Sequence, residues 1–325
     1  VESDGLTISC LQTRESKECA MSDPVVLRAL LGDYPVTRAL RRGDVTSPLV
    51  RLDFADVTPV AAAFPRVVRD LEFDVAELAV VTYLLAKAYG KPLVLLPAVV
   101  LGRFQHRLLV YNRERGPLAP GDLAGRRVGI RSYPVTTATW LRGVLAEQYG
   151  IDPDTITWVT VEEPHVAEFR DPPSVQRARP GQELMAMLLA GEIDAAIVSG
   201  RVPPDPRVVP LMPDPGAAAR AWYEKHQAIQ VNHVVTVTQS LSRAKPRAVE
   251  EVYRMLAASK RAAGPPAAGA LDTTPFGLEA NRRNLEVAID YVYRQRLIPR
   301  RFTVDELFDD VTHRLGDAAA PPGVT

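Results

Sequence analysis

Short apolar runs recur along the chain, each followed by a segment of helical spacing or by a turn marked with Gly or Pro. Residues 25–30 and 49–54 read as strands. Between them, Gly32-Asp33-Tyr34-Pro35-Val36-Thr37-Arg38 reads as a strand end, a loop and the first turn of a helix. Residues 59–71 carry Phe64, Val67, Val68 and Leu71 at helical spacing, which predicts a helix. Residues 72–78 turn into a strand, and residues 83–89 form a short helix ended by Gly90 and followed by Pro92. The strongly apolar residues 93–100 and the run 108–112 are further strands, the second acting as a crossover.

The pattern then repeats. A turn-rich unit at 118–125 leads into a strand at 127–130, a loop at 131–137, and a helix through Trp140, Leu141, Val144 and Leu145 that Gly150 stops. A strand at 156–161 follows, then a proline-rich surface loop at 171–182, a helix at 183–189 and a turn into a strand at 191–198. Residues 234–237 read as the returning strand, and the remainder as helices at 246–260, 279–295 and 303–314. Leu71-Glu72-Phe73-Asp74-Val75 in the first half is echoed by Gly191-Glu192-Ile193-Asp194-Ala195 in the second, as two similar lobes would give. Alternating strands and helices favour parallel sheets covered by helices, with ligand loops at the carboxyl ends of the strands. Asp74 and Asp194 fall in the echoed turns, where capping is the expected role.

Composition narrows the class. The chain has 325 residues and a formal net charge of zero, so nothing in the bulk marks a nucleic-acid binder. No run of 18 apolar residues occurs, which excludes a helical membrane span by that criterion. Cys10 and Cys19 are the only cysteines, so a disulfide, a thiolate metal site or a thiol nucleophile is not expected in the body. Residues 1–20 are polar and lack the apolar core of an export signal, and Met21-Ser22-Asp23-Pro24 reads as a natural start. The expectation is an extension at 1–20, a cytoplasmic protein, and a flexible tail at 316–325.

The chain has five histidines. His106 precedes an apolar strand, His233 begins another, and His165 follows the strand at 156–161, so all three are candidate acids or bases. Tyr34-Pro35-Val36-Thr37 and Tyr133-Pro134-Val135-Thr136 each follow a strand and precede a helix. Their amides and hydroxyls suit a carboxylate, with Thr137 and Ser132 beside them and Arg38 and Arg131 adding guanidinium contacts. Arg103 flanks His106 as further positive lining. Glu77, Glu279 and Arg282 are acidic and basic candidates, the last two for direct contact or closure over a ligand. Tyr83, Tyr133, Trp140 and Phe276 are candidates for stacking on a flat ring, with Trp140 favoured as core. A metal held by histidine with Glu162 or Glu163 is conceivable, yet no compact ligand motif occurs. Dinucleotide, phosphate-loop and nucleophile-elbow motifs are absent.

The stretches GDYPVTRALRRGDV (32–45), FPRVVRDLEFDVAELAVVTYLLA (64–86), LGRFQHRLLVYN (101–112), DLAGRRVGIRSYPVTTATWLRGVLAEQYGIDPDTITWV (122–159), LLAGEIDAAI (188–197) and PFGLEANRRNLEVAIDYVYRQRLIPRRFTVDELF (275–308) resemble the 4,5-dihydroxyphthalate decarboxylase family. The resemblance runs over nearly all of the body and covers His106 and His233. It implies an α/β, two-lobed fold of periplasmic-binding-protein type II with an interlobe cleft. Lobe 1 is expected at 21–110 plus 235–315, and lobe 2 at 111–234. It also implies a decarboxylase acting on a hydroxylated aromatic carboxylate such as 4,5-dihydroxyphthalate. Such an enzyme needs no cofactor in principle, a divalent metal being the option to test. The implied partner is a small anionic aromatic substrate, with no nucleic acid or membrane, and a homo-oligomer is possible through the terminal helices. Leu78-Ala79-Val80-Val81-Thr82-Tyr83 departs from the Ser-rich segment usual before the family's tyrosine, which leaves fewer hydroxyl donors there. The alternatives are a non-catalytic binder or sensor of a small anion, and a different lyase, of the menaquinone-biosynthesis kind, on the same fold.

Overall fold

The computed structural model describes residues 23–316. The expected extension at 1–20, Cys10, Cys19 and Met21, and the expected tail beyond residue 316, lie outside them. In chain order the strands are β1 (Val25–Leu30), β2 (Val50–Phe54), β3 (Val75–Ala79), β4 (Leu93–Gly102), β5 (Leu109–Asn112) and β6 (Arg127–Ile130). They continue with β7 (Thr157–Thr160), β8 (Val175–Arg177), β9 (Ala195–Ile197), β10 (Val208–Pro210) and β11 (Val231–Thr238). The helices are α1 (Pro35–Arg42), α2 (Val80–Ala88), α3 (Thr136–Tyr149), α4 (Leu184–Ala190), α5 (Pro215–His226), α6 (Gln239–Ala244), α7 (Pro246–Ala262) and α8 (Leu278–Arg294).

Two sheets divide the chain. One has the order β2-β1-β3-β11-β4 and the other β10-β5-β9-β6-β7-β8. The two orders superimpose: β1, β2 and β3 correspond to β6, β7 and β9, each set parallel. An antiparallel strand follows in each lobe, β11 against β3 and β5 against β9. Each lobe thus contains one strand that belongs topologically to the crossover between lobes. The echoed aspartates play the same part in both. Asp74 accepts from the Arg28 amide at 2.8 Å and Asp194 from the Arg127 amide at 2.9 Å, so each carboxylate caps a strand of its sheet. The lobe limits expected at 110/111 and 234/235 fall inside β5 and β11, and strand pairing moves the crossovers to 103–108 and 227–230.

Three local expectations are corrected. Residues 59–71 are a 3-10 turn (Val60–Ala63) and a π-type turn (Arg66–Asp70), not one helix, because Pro65 has no amide to donate. Residues 303–314 carry only 3-10 turns at Asp305–Leu307 and His313–Gly316. There Thr303 and Asp309 side chains capture the Glu306, Val311 and Thr312 amides that a helix would need. The loop at 171–182 contains β8, which pairs parallel with the edge of β7.

One core fills the space between the first sheet and α1 and α7, through Leu27, Leu40, Val235, Val249 and Leu256. A larger core runs from one lobe into the other through Phe64, Leu84, Leu141, Trp158 and Leu285. Helix α8 packs on both α2 and α3 and so ties the lobes together. Gly143 on α3 permits this: a Cβ there would stand 2.1 Å from the Tyr291 ring of α8. Trp140 is buried in this seam, as its spacing suggests, and donates to the Val231 carbonyl at 2.8 Å.

Candidate active site

A cleft of about 570 Å³ opens between the lobes, at the carboxyl ends of β1, β3 and β6. Its size is that of a small-molecule site. Val57, Val60, Phe64, Ala79, Leu101 and Val135 form an apolar wall. Tyr34, Arg103 and His233 line it from one lobe, and Arg131, Thr136, Thr137 and His165 from the other.

The wall meets a polar network on β3 and β11. Strand β3 is buried throughout, and Glu77 in its middle is fully enclosed. A buried carboxylate must be compensated. Glu77 accepts from the Gly32 amide and from the Tyr34 hydroxyl, each at 2.6 Å, and is hydrogen-bonded to Nδ1 of His233. With Nδ1 engaged by Glu77, the other ring nitrogen of His233 is the one left for a ligand, and Glu77 compensates the charge of a protonated ring. Burial, and then the Glu77 charge, push the Tyr34 hydroxyl well above the usual phenol range, so it stays a donor.

His165 reaches the same place from the other lobe. Its Nδ1 is 2.9 Å from the Thr82 hydroxyl on α2. The edge-on ring of Phe64 lies 5.6 Å from His165 and 5.2 Å from His233. Burial, followed by the charges of Arg131, Arg69 and His233, depresses His165 to about 3, so this imidazole is neutral near pH 7.

Two guanidinium groups complete the cleft. Arg103 follows β4, and its buried Nε has no partner; no carboxylate lies within ion-pair distance of it among the described residues. Burial lowers its pKa. Arg131 follows β6; its Nε is buried without a hydrogen bond, with only the half-exposed Glu162 beside it at 3.3 Å. A desolvated guanidinium without an acid, as at Arg103, favours an anionic ligand.

The other candidates lie elsewhere. His106 is buried in the seam between α3 and α5, its Nε2 on Gln148 at 3.1 Å, and burial lowers it to about 4. Strand β5 begins only three residues later and turns that ring into the core. Thr37 is buried and donates to the Gly32 carbonyl at 2.6 Å, fastening the start of α1. Arg38 is exposed and paired with Asp33. The Tyr83 ring is in the core and donates to the Leu307 carbonyl. Ser132 and Tyr133 are buried behind the cleft, Ser132 beside a small void shared with Thr82 and His165, and Tyr133 under Arg142. Glu279 and Arg282 form an outer-surface ion pair with Asp305. Phe276 stacks on Tyr253 rather than in the cleft.

The two Tyr-Pro-Val-Thr tetrads diverge because their helices start out of register. Tyr34 itself caps α1, whereas α3 starts only at Thr136 with Val135 as its cap. The first tetrad therefore offers its tyrosine to the cleft, and the second its threonine. Phe64, Thr82 and Asn232 were not singled out from sequence as cleft residues. Thr82 and Asn232 carried a usable signal, a polar residue at a strand–helix junction and one beside His233. Glu162 and Glu163 face Arg131 and Arg177, and no three metal-ligating side chains gather among the described residues.

No protein-family model matches the chain. Among solved structures, the alkanesulfonate-binding protein of Xanthomonas axonopodis pv. citri, bound to MOPS, superimposes with a TM-score of 0.54 at 14% identity. The match covers 89% of this chain and 99% of that one. The protein is thus of the two-lobed periplasmic-binding-protein fold class. Its sequence is 30% identical over 233 residues to a 4,5-dihydroxyphthalate decarboxylase of Comamonas testosteroni, covering 68% of this chain and 70% of the relative. It is 29% identical over 219 residues to that of Pseudomonas putida, covering 62% and 84%. The chain belongs to the 4,5-dihydroxyphthalate decarboxylase family.

Proposed function

We propose that this protein decarboxylates a hydroxylated aromatic carboxylate of the 4,5-dihydroxyphthalate type. The observation that carries the reading is the cleft itself. Two imidazoles flank an aromatic edge, and two arginines lacking firm acid partners stand in the two lobes. The relatives' names supply the reaction.

In this scheme the ring lies against Phe64 and the apolar wall. Arg103, and Arg131 with Thr136 and Thr137, take its carboxylates. Protonated His233 delivers its proton to the ring carbon that bears the departing carboxylate. The ring hydroxyl para to that carbon pushes electron density toward it, hydrogen-bonded to neutral His165. Burial, and then the surrounding positive charges, oppose full proton transfer to His165. The carbon–carboxylate bond then breaks, carbon dioxide leaves, and its electron pair restores the aromatic ring. One proton is consumed, and His233 regains it from solvent. Glu77 keeps the imidazolium oriented and compensated. No step is routed through a metal or another cofactor. Within this reading the enzyme works in the cytoplasm on a small anionic ligand and requires neither nucleic acid nor membrane. The zero net charge gives no sign of a nucleic-acid binder. No helix among the described residues is long and apolar enough to cross a membrane.

The test is incubation of the purified protein with 4,5-dihydroxyphthalate, phthalate and related hydroxybenzoates, following product and carbon dioxide, with and without chelator. Turnover lost in His233→Ala and retained in chelator is the expected result. Tight binding without product would favour an anion sensor instead, and chelator-sensitive turnover would reinstate a metal.

A further inference from the structure

We infer that Arg69 is a positioning residue that assembles the histidine pair across the lobes; this rests on the proposed roles of His165 and His233. His233 is fixed within its own lobe, on β11 and against Glu77 of β3. His165 is not. It sits on the loop that follows β7 in the opposite lobe, and its nearest fixed neighbours are in the first lobe. Thr82 of α2 holds the ring at 2.9 Å. Arg69, from the π-type turn at Arg66–Asp70, holds the backbone. Its Nε donates to the His165 carbonyl at 2.8 Å and its Nη2 to the Pro164 carbonyl at 2.6 Å.

Arg69 makes no ion pair among the described residues, whereas its neighbour Arg66 pairs with Glu72. A planar fork with two donors on one side matches two successive carbonyls, which a point charge cannot do. A second strap, Lys91 to Glu168 at 2.6 Å, ties the same loop from the same lobe, but its glutamate is half exposed. Exposed pairs of that kind contribute little. Arg69 is thus the contact that sets where the His165 backbone lies, and Thr82 then sets the ring. If the lobes part, the arginine fork and the threonine contact are lost together, and the two imidazoles no longer share one ligand. The catalytic pair exists only in the closed arrangement.

The experiment is a double-mutant cycle on kcat and KM with the turned-over substrate, using Arg69→Ala, His165→Ala and the pair, with Lys91→Ala as control. A group misplaced by about 1 Å costs on the order of 100-fold in rate, so Arg69→Ala should lower kcat by roughly 10- to 100-fold. KM should stay within about three-fold, because Arg103 and Arg131 are untouched, and Lys91→Ala should change kcat by less than about two-fold. In the His165→Ala background, Arg69→Ala should add less than about two-fold, since coupled residues are non-additive. Arg69→Lys keeps the charge but not the fork, and should recover only part of kcat while folding as the wild type does. Equal losses in both backgrounds, or an Arg69→Ala enzyme of normal kcat, would overturn the assignment. Amide exchange of residues 165–169 gives a readout without turnover. It should quicken in Arg69→Ala and in Arg69→Lys, and unchanged exchange in both would sink the proposal. If the wild type turns over no substrate while the exchange difference is present, the decarboxylase reading fails and the Arg69 strap stands.

Discussion

His106 offers the most quantitative test of the division between cleft and core. In the folded protein it is a neutral imidazole, lowered from 6.5 to about 4 by burial and held by Gln148. In the unfolded chain it takes a proton near its ordinary value. Between those limits the unfolded state binds more protons than the folded one, so acid favours unfolding. The stability is intact above about pH 6.5 and is lost progressively as pH falls toward about 4. Each pH unit within that window is worth about 1.4 kcal/mol. Lowering the pH from 7.5 to 5.0 should therefore remove roughly 2 kcal/mol through this residue alone. His106→Gln keeps a donor for Gln148 and cannot titrate. Its stability relative to wild type should rise by about 2 kcal/mol between pH 7.5 and 5.0. Its kcat should stay within about three-fold, since it lies away from the cleft. The assay is urea unfolding at both pH values, followed by tryptophan fluorescence, with Trp222 and Trp140 packed in the same seam. Identical pH dependence in the two proteins would show that His106 is not buried neutral. A hundred-fold loss of kcat without a stability change would put it back in the active site.

Two further outcomes follow from the same geometry. Arg103→Gln removes an uncompensated guanidinium from the ligand's path and should raise KM, or the Kd of a non-reacting aromatic diacid, by roughly 10- to 100-fold, in line with a charge-assisted hydrogen bond; titration calorimetry at fixed ionic strength measures it, and an unchanged Kd would remove Arg103 from the anion site. Tyr83→Phe removes the bond to the Leu307 carbonyl and should cost about 1–3 kcal/mol of stability, with kcat unchanged, because the ring faces the core and not the substrate.

The sequence by itself determined the alternation of strands and helices, the two-lobe plan and the family, because these depend on periodicity, turn residues and stretches that span the body. The echoed aspartates show how far such reading goes. Asp74 and Asp194 were legible as equivalent caps, and they make the same bond to the same position of each sheet. His165, His233, Tyr34, Arg103, Arg131, Thr136 and Thr137 were likewise legible, as polar residues placed where strands give way to loops. What only the tertiary structure decided is which way each such residue points. His106 and His233 both stand beside apolar strands, yet one ring turns into a packed seam and the other toward an enclosed glutamate. A two-residue difference in where a helix begins sends Tyr34 to the cleft and Tyr133 to the core. Glu77, Thr82, Phe64 and Arg69 acquire their roles from partners 43 to 169 residues away, as the Tyr34–Glu77 bond and the Phe64–His233 ring contact show. Sequence carries local preference, whereas a site between two lobes is made of side chains whose directions are fixed by long-range packing.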